Sequence, residues 1–545
     1  MRLITINIFI LIFCCMGCAK TVINDTIVPE GGINSPASSI RLFNLFGFDM
    51  DVSVNNIPLT AYGTNSGIGQ GLSLFPSGVW KYGSSFTIPT TLLDKTGNAH
   101  ISLKAIGYPI NNPNIPKPPD TTLPNNPLQP VDYYILADGR FHSIPRSITA
   151  PPDPSSFRIR VINLGDTTDG NGLAGPVSLT YADGSQVDSR LDNIMTGKSS
   201  DYVDIPYGTY EFKLFTNRNF TQQLTEAPVP PNSRADIFNG GFMYIQDQEA
   251  RFPPVRVFKP GGFYTVFVSK NLYQYTDQYS GPYFIFANGY RILAENSPSV
   301  NVTYARIQGV NVCPVAGTLT MKIAGQPLGG PLDYGQHTEY SVLVKGRYTV
   351  EVDDASGKQL VQKDITLYPY DNISAWVYMK NDTADICFSA TDMSTVGTSL
   401  QFKCLNLCSG LPYLTFTNDV TTFALDSATN NLPLGQPVLT TPYERIDRGL
   451  SGGFAGASVE SPLSSFIIRA FQSDVGPPVI LPGSYLDQVM RLSSQAFVAT
   501  PSMYSAAYTP NPPEPGAYTM ALTGRLQSES GDRFAPKILL LKHNK

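Results

Sequence analysis

The amino-acid sequence predicts an all-β protein made of tandem immunoglobulin-like β-sandwich domains. Three observations carry this prediction: abundant turn residues, abundant aromatic residues, and one strand pattern that returns along the chain. The 545 residues include 46 glycines, 45 prolines, 29 tyrosines and 29 phenylalanines, which is typical of short strands separated by tight turns. A chain of this length exceeds one hydrophobic core, so several domains are expected.

The recurring strand has the order apolar, basic, apolar, apolar, Asn, Leu. Its copies read IRLFNL at 40–45, IRVINL at 159–164, a degenerate ARIQGV at 305–310 and FKCLNL at 402–407. Its inward positions should be apolar and buried, since alternate residues of a strand face the same side. The pattern therefore marks the first strand of each repeated unit.

Two further markers follow each copy in the same order. The first is glycine, any residue and an aromatic residue, at Gly78, Gly208, Gly346 and Gly483. We predict that these glycines supply the positive φ of a hairpin turn. The second is an alternating strand near Tyr133, Tyr264, Trp376 and Tyr518. Together the markers predict four immunoglobulin-like units, at 38–150, 151–298, 299–394 and 395–545.

The first residues indicate export. Arg2 precedes an apolar run at 3–13 that is too short to span a bilayer, and small residues then end at Cys18, as in a secretory signal. We expect a signal peptide over 1–17 and a tether over 18–37. The leader could be an ordinary cleaved signal, or the residue that follows it could carry a lipid.

Gly17 followed by Cys18 resembles the lipobox of bacterial lipoproteins, although Cys15 stands where leucine is usual. With the opening strands and the closing strands at Tyr264 and Tyr518, it resembles a domain-of-unknown-function family of secreted Bacteroidetes lipoproteins with tandem immunoglobulin-like sandwiches. The resemblance implies a lipid (palmitate) on Cys18, an outer-membrane location and a β-sandwich fold. It implies no catalytic residues and no cofactor.

Charge and motifs exclude several function classes. The chain has 38 Lys and Arg against 43 Asp and Glu, a net charge of −5, and no basic stripe of the kind that binds nucleic acid. Ser451 lies in GLSGG, which lacks the strand and helix that a nucleophile elbow requires. The acidic loop that begins at Asp166 lacks EF-hand spacing. We therefore expect no enzyme and no metal site.

The segment YQYTDQYSGPYF offers a candidate binding surface. Tyr273, Tyr275, Tyr279 and Tyr283 interleave there with amide, carboxylate and hydroxyl groups. Exposed tyrosines give large contact area at low entropic cost, which suits contacts with sugars or proteins. The alternative interpretation is that these rings pack the junction with the third unit.

Four cysteines remain beyond Cys18, and in an oxidising compartment an even number favours disulfides. We favour a bridge between Cys313 and Cys387. Cys404 occupies the position of an inward apolar residue, so a buried side chain is expected there. If its strand runs straight to Cys408, the two thiols lie about 13 Å apart, too far to bond.

The sequence thus predicts a lipid-anchored outer-membrane protein with a non-enzymatic binding or structural role. Its expected partners are the membrane, through the anchor, and a glycan or an envelope protein. Two alternatives remain open. One is a pilus or adhesin subunit with an exchangeable strand at 537–542, and the other is an accessory-domain protein of a carbohydrate-degrading system.

Overall fold

The described part of the chain is almost entirely β-structure, which confirms the predicted all-β sandwich repeat. The computed structural model describes residues 37–60, 75, 78–106, 117–118, 120–146, 150–165, 176–215, 235–238, 242–245, 253–277, 281–296, 298–315, 317–394, 400–418, 432–433, 444–446, 467–473, 484–499, 514–529 and 531–545. Short 3₁₀ turns lie at Thr90–Leu92, Ser189–Leu191 and Ser494–Phe497. Within these residues, no helix has the length and apolar character to cross a membrane.

The first sandwich consists of two four-stranded sheets. Its strands are β1 (Ala37–Asn44), β2 (Asp49–Val54), β3 (Ile57–Pro58), β4 (Ser85–Pro89), β5 (Asn98–Ile106), β6 (Thr121–Pro124), β7 (Val131–Ile135) and β8 (Phe141–Pro145). One sheet has the order β4-β1-β7-β8 and the other β3-β2-β5-β6. The pair β1 and β7 is parallel, and the other neighbours are antiparallel.

The second sandwich is built around a longer hairpin. Its strands are β9 (Ser156–Asn163), β10 (Ser178–Thr180), β11 (Lys198–Ser199), β12 (Val203–Pro206), β13 (Gly208–Tyr210), β14 (Lys213–Phe215), β15 (Ala235–Phe238), β16 (Phe242–Ile245), β17 (Arg256–Phe258), β18 (Phe263–Asp277) and β19 (Gly281–Ala294). The main sheet has the order β11-β9-β18-β19, with β12 also on β9. Three two-stranded sheets, β10-β14, β13-β17 and β15-β16, complete the set.

The third sandwich repeats the two-sheet plan of the first. Its strands are β20 (Tyr304–Asn311), β21 (Leu319–Ile323), β22 (Gln326–Pro327), β23 (Ser341–Val344), β24 (Gly346–Asp354), β25 (Gln359–Leu367), β26 (Asn372–Lys380) and β27 (Thr383–Ala390). The sheets have the orders β23-β20-β26-β27 and β22-β21-β24-β25.

The fourth sandwich follows the same plan. Its strands are β28 (Leu400–Ser409), β29 (Tyr413–Asn418), β30 (Leu432–Pro433), β31 (Glu444–Ile446), β32 (Ile467–Ser473), β33 (Ser484–Tyr485), β34 (Leu492–Ser493), β35 (Gly516–Arg525) and β36 (Lys537–Lys542). The sheets are β31-β28-β35-β36 and β30-β29-β32-β33, with β34 also on β32.

The four repeats share one parallel pair of central strands, and this pairing differs from that of an immunoglobulin constant domain. There, strands A, B, E and D share one sheet, whereas in the first sandwich the first strand pairs with the fourth strand and, in parallel, with the seventh. The parallel pair recurs as β9-β18, β20-β26 and β28-β35. The recurring opening and closing patterns of the sequence are therefore the two central strands of one sheet.

The opening strand is buried on both of its faces. Ile40 and Leu42 point into the core between the two sheets of the first sandwich. On the outer face, Phe43 stacks on Tyr134 with ring centroids 4.7 Å apart, and Tyr134 stacks on Phe267 of the second sandwich at 4.5 Å. Burial on both faces explains the nearly continuous apolar pattern. The first and second sandwiches thus pack through their parallel-strand sheets.

The third and fourth sandwiches meet in the same way. Val310 and Trp376 of the third sandwich share one buried cluster with Leu405, Leu407 and Leu541 of the fourth. These residues lie on the outer faces of the sheets that contain β20 and β28. The repeated strand therefore specifies two interfaces: one inside each sandwich and one between sandwiches.

The asparagine of the repeated strand fixes the loop that follows it. The side-chain oxygens of Asn44, Asn163 and Asn406 each accept a hydrogen bond from the N–H two residues later, at 3.1–3.2 Å. In the degenerate third copy, Gly309 stands at the aligned position, and Asn311 makes the same bond two residues further on at 3.0 Å. β1, β9 and β20 are each eight residues long and end at this asparagine, so the residue of the third copy that aligns in the structure with Arg41 and Arg160 is Gln308, two residues after Arg306.

The glycine prediction was wrong at two positions. Gly78 has a φ of 73°, as expected for a turn, but Gly208 and Gly346 are the first residues of β13 and β24. At Gly208 a Cβ atom would lie 2.3 Å from Nη1 of Arg306. Close approach of a neighbouring side chain, and not a positive φ, requires glycine at this position. Gly483 lies outside the described residues.

Candidate functional site

The tyrosines predicted as a binding surface lie in and beside the long hairpin of the second sandwich. Tyr273 and Tyr275 belong to β18, and Tyr283 of β19 pairs with Tyr275 across the antiparallel ladder. The structure describes only their backbone, and Tyr279 lies outside the described residues. The binding role of these tyrosines therefore stays a prediction. Tyr273, Tyr275 and Tyr283 lie on strands and not in a loop.

Several other predicted residues also lie outside the described part of the chain. They include the lipidation candidate Cys18, the serine of the GLSGG motif, Ser451, and the acidic loop at Asp166. Among the residues that the structure describes, there is no group of three or more His, Cys, Asp or Glu side chains arranged to hold a metal ion.

The predicted bridge between Cys313 and Cys387 is not formed. Cys387 is a free thiol and packs with Trp376 in the cluster between the third and fourth sandwiches. Cys313 lies in the core inside the third sandwich. The two side chains belong to different sides of the same sheet, so they do not meet.

The cysteines of the fourth sandwich lie on one straight strand. Cys404 and Cys408 both belong to β28 and both point into the core of the fourth sandwich. The expectation of a buried side chain at Cys404 is confirmed, since it is 4% exposed. Burial raises the pKa of the Cys387 and Cys408 thiols to about 12, so neither is a nucleophile at neutral pH.

Buried ion pairs join the first and second sandwiches. Arg41 donates from Nε and Nη2 to the two carboxylate oxygens of Asp132, at 2.9 and 2.6 Å. Glu295 lies 3.0 Å from Arg160 and 3.6 Å from Arg41, and the hydroxyl of Tyr202 donates to it. The four charged side chains are at most 8% exposed. Each of these four buried charges therefore has an opposite charge beside it.

A second buried network joins the second and fourth sandwiches. Lys213 pairs with Glu514, while Lys542 lies 2.9 Å from Glu211 and 3.7 Å from Glu514. Burial and the nearby Glu514 raise the pKa of Glu211 to about 7. Although burial favours the neutral acid, Lys213 and Lys542 lower the pKa of Glu514 to about 2. The end of β36 is thereby tied to the second sandwich.

Beside this network lies the central cleft, a space of about 480 Å³ enclosed by the second, third and fourth sandwiches. Tyrosine rings from the three sandwiches line it: Tyr181, Tyr207 and Tyr210 from the second, Tyr340 from the third and Tyr518 from the fourth. Its volume is typical of small-molecule sites. The cleft exists only when the three sandwiches are assembled.

Arg306 lines the central cleft and has no carboxylate beside it. It is 4% exposed, and its Nε donates to Oδ1 of Asn372 at 2.7 Å. Its guanidinium carbon lies 4.8 Å from the ring centroid of Tyr340 and 5.7 Å from that of Tyr207. No ion pair to Arg306 is formed by any carboxylate in the described part of the chain. Since arginine stays protonated in proteins, the cleft wall carries a permanent positive charge.

His543 forms the polar floor of the cleft. Its Nδ1 accepts from Tyr340 Oη at 2.9 Å and from Gln308 Nε2 at 3.3 Å, so its Nε2 carries the proton and donates to Thr519 Oγ1 at 2.7 Å. Burial, with the nearby Lys403 and other cations, lowers the pKa of His543 to about 3. The imidazole is therefore neutral at physiological pH and serves as a hydrogen-bonded wall group.

The sequence contained only one weak signal for this site. Arg306 was recognised as the basic residue of a degenerate repeat, and nothing local distinguishes it from Arg41 or Arg160. The signal is the residue opposite on the parallel strand, which is Asn372 for Arg306 and Asp132 for Arg41. Reading that signal requires the strand register, which only the structure supplies.

Comparisons with known proteins do not assign the chain to a family. No family model and no curated protein matches it. Solved structures that it resembles include a candidate cell adhesion protein from Bacteroides fragilis, with 9% identity over 44% of this chain and 98% of that chain, at a TM-score of 0.13. Another, from Bacteroides ovatus, has 8% identity over 45% of this chain and 97% of that one, at a TM-score of 0.12.

The fimbrial anchor protein Mfa2 from Porphyromonas gingivalis is a further similar structure. The alignment has 9% identity, covers 43% of this chain and 95% of that chain, and has a TM-score of 0.10. Scores at this level are too low to establish a common fold. The similarity to these structures therefore carries no information about function.

Proposed function

We propose that this protein is a non-enzymatic, adhesin-like component of the bacterial cell surface that binds a glycan or an envelope protein in the central cleft. The observation that carries the proposal is the enclosure of tyrosine rings and the buried cation of Arg306 by three sandwiches. A site built on rigid sandwiches binds without a large cost for ordering loops. Rings, charged groups and hydrogen-bonding groups in one space are the chemistry of recognition.

A binding screen tests this function. The lipid-free chain, residues 19–545, is presented with immobilised glycans and with purified envelope proteins. We expect saturable binding to a member of one of these classes, with the bound molecule recovered unchanged. Turnover of a polysaccharide that is lost on one Asp or Glu substitution would instead establish the carbohydrate-degrading alternative.

We also propose that Cys18 carries a lipid that holds the protein on the outer membrane. The motif at Gly17 and Cys18 supports this proposal. Metabolic labelling with palmitate should label the wild-type protein and the control Cys14→Ala, because Cys14 lies inside the expected leader. Cys18→Ala should lose the label. Equal labelling of both variants would contradict a lipid anchor at this residue.

The unit limits at 38–150, 151–298, 299–394 and 395–545 remain a proposal. The sheets support them, because the strands of each parallel-strand sheet come from one of these ranges. If the limits are right, limited proteolysis should cut first near them or in long loops. Early cleavage within β1, β9, β20 or β28 would contradict them.

The pilus alternative receives no support from the contacts of β36. This strand pairs with β35 from Lys537 to Lys542, and Lys542 is ion-paired with Glu211 of the second sandwich. The backbone N–H of Glu211 also donates to the carbonyl oxygen of Lys545 at 2.8 Å. Exchange of β36 with a neighbouring molecule would break these contacts as well as the strand pairing.

A further inference from the structure

We infer that the central cleft binds an acidic saccharide, whose carboxylate pairs with Arg306 and whose ring packs on Tyr181 and Tyr340. This inference rests on the proposed function and names its ligand class. Three features of the central cleft support it. They are a cation without a carboxylate partner among the described residues, hydrogen-bonding groups beside partly exposed rings, and ion pairs that neutralise the other cations of the wall.

The cation is identified by comparing the basic residues of the four repeated sequence patterns. Arg41 and Arg160 have buried carboxylates at 2.6 and 3.0 Å. Lys403 lies between sandwiches, where burial lowers its pKa to about 8, so it can become neutral at little cost. Arg306 alone of these four combines a permanent charge with a place on the cleft wall. An anionic ligand group would supply the countercharge that Asn372 does not.

The second feature is the hydrogen-bonding capacity of the cleft. Asn544 is 3% exposed, and its Oδ1 accepts from the N–H of Ala517 at 3.1 Å, while its Nδ2 has no partner. Hydroxyl groups both donate and accept, so a sugar can satisfy such an amide and the neighbouring Thr338 and Gln308.

The rings of the wall suit a sugar face. Tyr181 and Tyr340 are partly exposed, whereas Tyr207, Tyr210 and Tyr518 are buried. Lys545 Nζ lies 4.7 Å from the ring centroid of Tyr181, and the guanidinium carbon of Arg306 lies 4.8 Å from that of Tyr340, so each ring offers a ligand its exposed edge and hydroxyl beside a cation. A saccharide presents the matching combination of C–H groups on one face and hydroxyl groups around the rim.

The third feature concerns the remaining charges at the cleft. Lys542 is paired with Glu211 at 2.9 Å, and Lys545 lies 3.3 Å from Glu339. These cations already have countercharges, and His543 is neutral. The wall therefore favours a ligand with one negative group, at the depth of Arg306, and otherwise neutral polar atoms.

Isothermal titration calorimetry of the full lipid-free chain provides the test. The probes are D-glucuronate, its neutral counterpart D-glucose, and acetate, which carries the carboxylate without the ring. We expect glucuronate to bind. The affinities for glucose and for acetate should each be lower than that for glucuronate by at least about 10-fold. Arg306→Met should lower the affinity for glucuronate by about 10-fold or more without changing the affinity for glucose.

Two further variants keep the test independent of folding. Tyr181→Ala should weaken glucuronate binding about 10-fold, while the control Tyr368→Ala, at a tyrosine that is 63% exposed and does not line the cleft, should have no effect. Glu339, whose side chain is 75% exposed, cannot disturb the core. Glu339→Gln should strengthen glucuronate binding about 2- to 3-fold at low salt, because it removes a like charge at the rim.

The outcomes separate this inference from the proposed function. Equal binding of acetate and glucuronate would show a simple anion site and overturn the inference. Arg306-dependent binding of a peptide through its C-terminal carboxylate, with no binding of glucuronate, would also overturn it and leave the proposed function intact. Glycan binding that is unchanged by Arg306→Met and Tyr181→Ala would place the site outside the central cleft; it would overturn the inference and the proposed location of binding, and leave only the binding role intact. Failure of every glycan and protein to bind would overturn both.

Discussion

Two arginines on the opening strands of different sandwiches have different surroundings. Arg41 of β1 is held by Asp132 at 2.6 Å and lies 3.6 Å from Glu295, inside the packed junction of the first and second sandwiches. Arg306 of β20 has the amide of Asn372 in place of a carboxylate and lines the central cleft. The same strand pattern therefore closes an interface in one place and borders a space in the other.

The difference lies in the residue on the neighbouring parallel strand. Asp132 lies opposite Arg41, whereas Asn372 lies opposite Arg306, so the first arginine has a countercharge from that strand and the second does not. A buried charge without a partner costs several kcal/mol. The first arginine is thus part of a neutral network that joins sandwiches, and the second is left to pair with something that enters the cleft.

The largest expected effect comes from breaking the compensated side of this comparison. Asp132→Ala should lower the free energy of unfolding by about 3–5 kcal/mol, because it leaves the guanidinium of Arg41 buried beside a single shared carboxylate. Urea denaturation followed by the fluorescence of Trp80, in a Trp376→Phe background, reports on the first sandwich. These are the two tryptophans of the chain.

The control for this substitution is Asp138→Ala. Asp138 also pairs with an arginine, Arg140, but the pair is exposed, with side chains 40% and 78% accessible. Exposed pairs contribute little, so the expected change is under about 1 kcal/mol. Similar losses for Asp132→Ala and Asp138→Ala would remove burial as the cause.

The second test removes the arginine in each setting. Arg160→Met leaves the buried carboxylate of Glu295 with only Arg41 as a countercharge in the described part of the chain. It should lower the free energy of unfolding by about 3 kcal/mol. Arg306→Met removes a buried charge that has no carboxylate partner among the described residues, so it should not lower the free energy of unfolding and should raise it by about 1 kcal/mol or more. Urea denaturation measures both variants. Trp80 fluorescence follows Arg160→Met, and Trp376 fluorescence follows Arg306→Met. A larger loss for Arg306→Met than for Arg160→Met would reverse the comparison.

The third test concerns the neutral imidazole beside the uncompensated cation. His543 has its pKa lowered from 6.5 to about 3 by burial. The unfolded chain takes up a proton below pH 6.5 while the folded protein does not, so stability is present above pH 6.5 and is lost as the pH falls. Between pH 6.5 and 5 the expected loss is about 2 kcal/mol.

A second group titrates with the opposite sign and has to be removed to see this loss. Glu211 has its pKa raised from 4.5 to about 7 by burial, so it stabilises the folded protein as the pH falls through this range. Urea denaturation between pH 7 and 5 is therefore compared in Glu211→Gln and in Glu211→Gln with His543→Gln. The loss should appear in the first and vanish in the second; equal slopes would contradict the role of His543.

The smallest effect is expected at the rim of the cleft. Glu339→Gln breaks an ion pair with Lys545 at 3.3 Å between partly exposed and exposed side chains. The free energy of unfolding should change by less than about 0.5 kcal/mol, although ligand binding changes. Thermal unfolding within the error of wild type checks this; a clear loss would indicate that the rim pair supports the junction.

Much of the local structure could be predicted from the sequence. The inward positions of the opening strand, such as Leu42 and Cys404, are buried as their alternation predicts, because a strand's periodicity is local. The straight path of β28 through Cys408 also follows from local pattern. The bridge between Cys313 and Cys387 could not be judged in this way, because the side of the sheet on which each thiol lies depends on strand register.

The candidate site is less accessible to such reasoning. The outer face of the repeated strand is as apolar as the inner face, so no periodicity shows which sandwich covers it. Gly208 was interpreted as a turn residue, whereas its contact with Arg306 of the next sandwich explains it. The side chains that build the cleft come from three sandwiches and were not recognised as a group.

By itself, the sequence determined the all-β class, the repeated strands and the residues that face each core. It did so because strand periodicity and turn chemistry act over a few residues. The tertiary structure decided which buried charges are compensated. Lys213 and Glu514 meet across 301 positions of the chain, and Arg306 lines a cleft whose walls come from three sandwiches. Such pairings follow from how the sandwiches pack, and no local pattern encodes them.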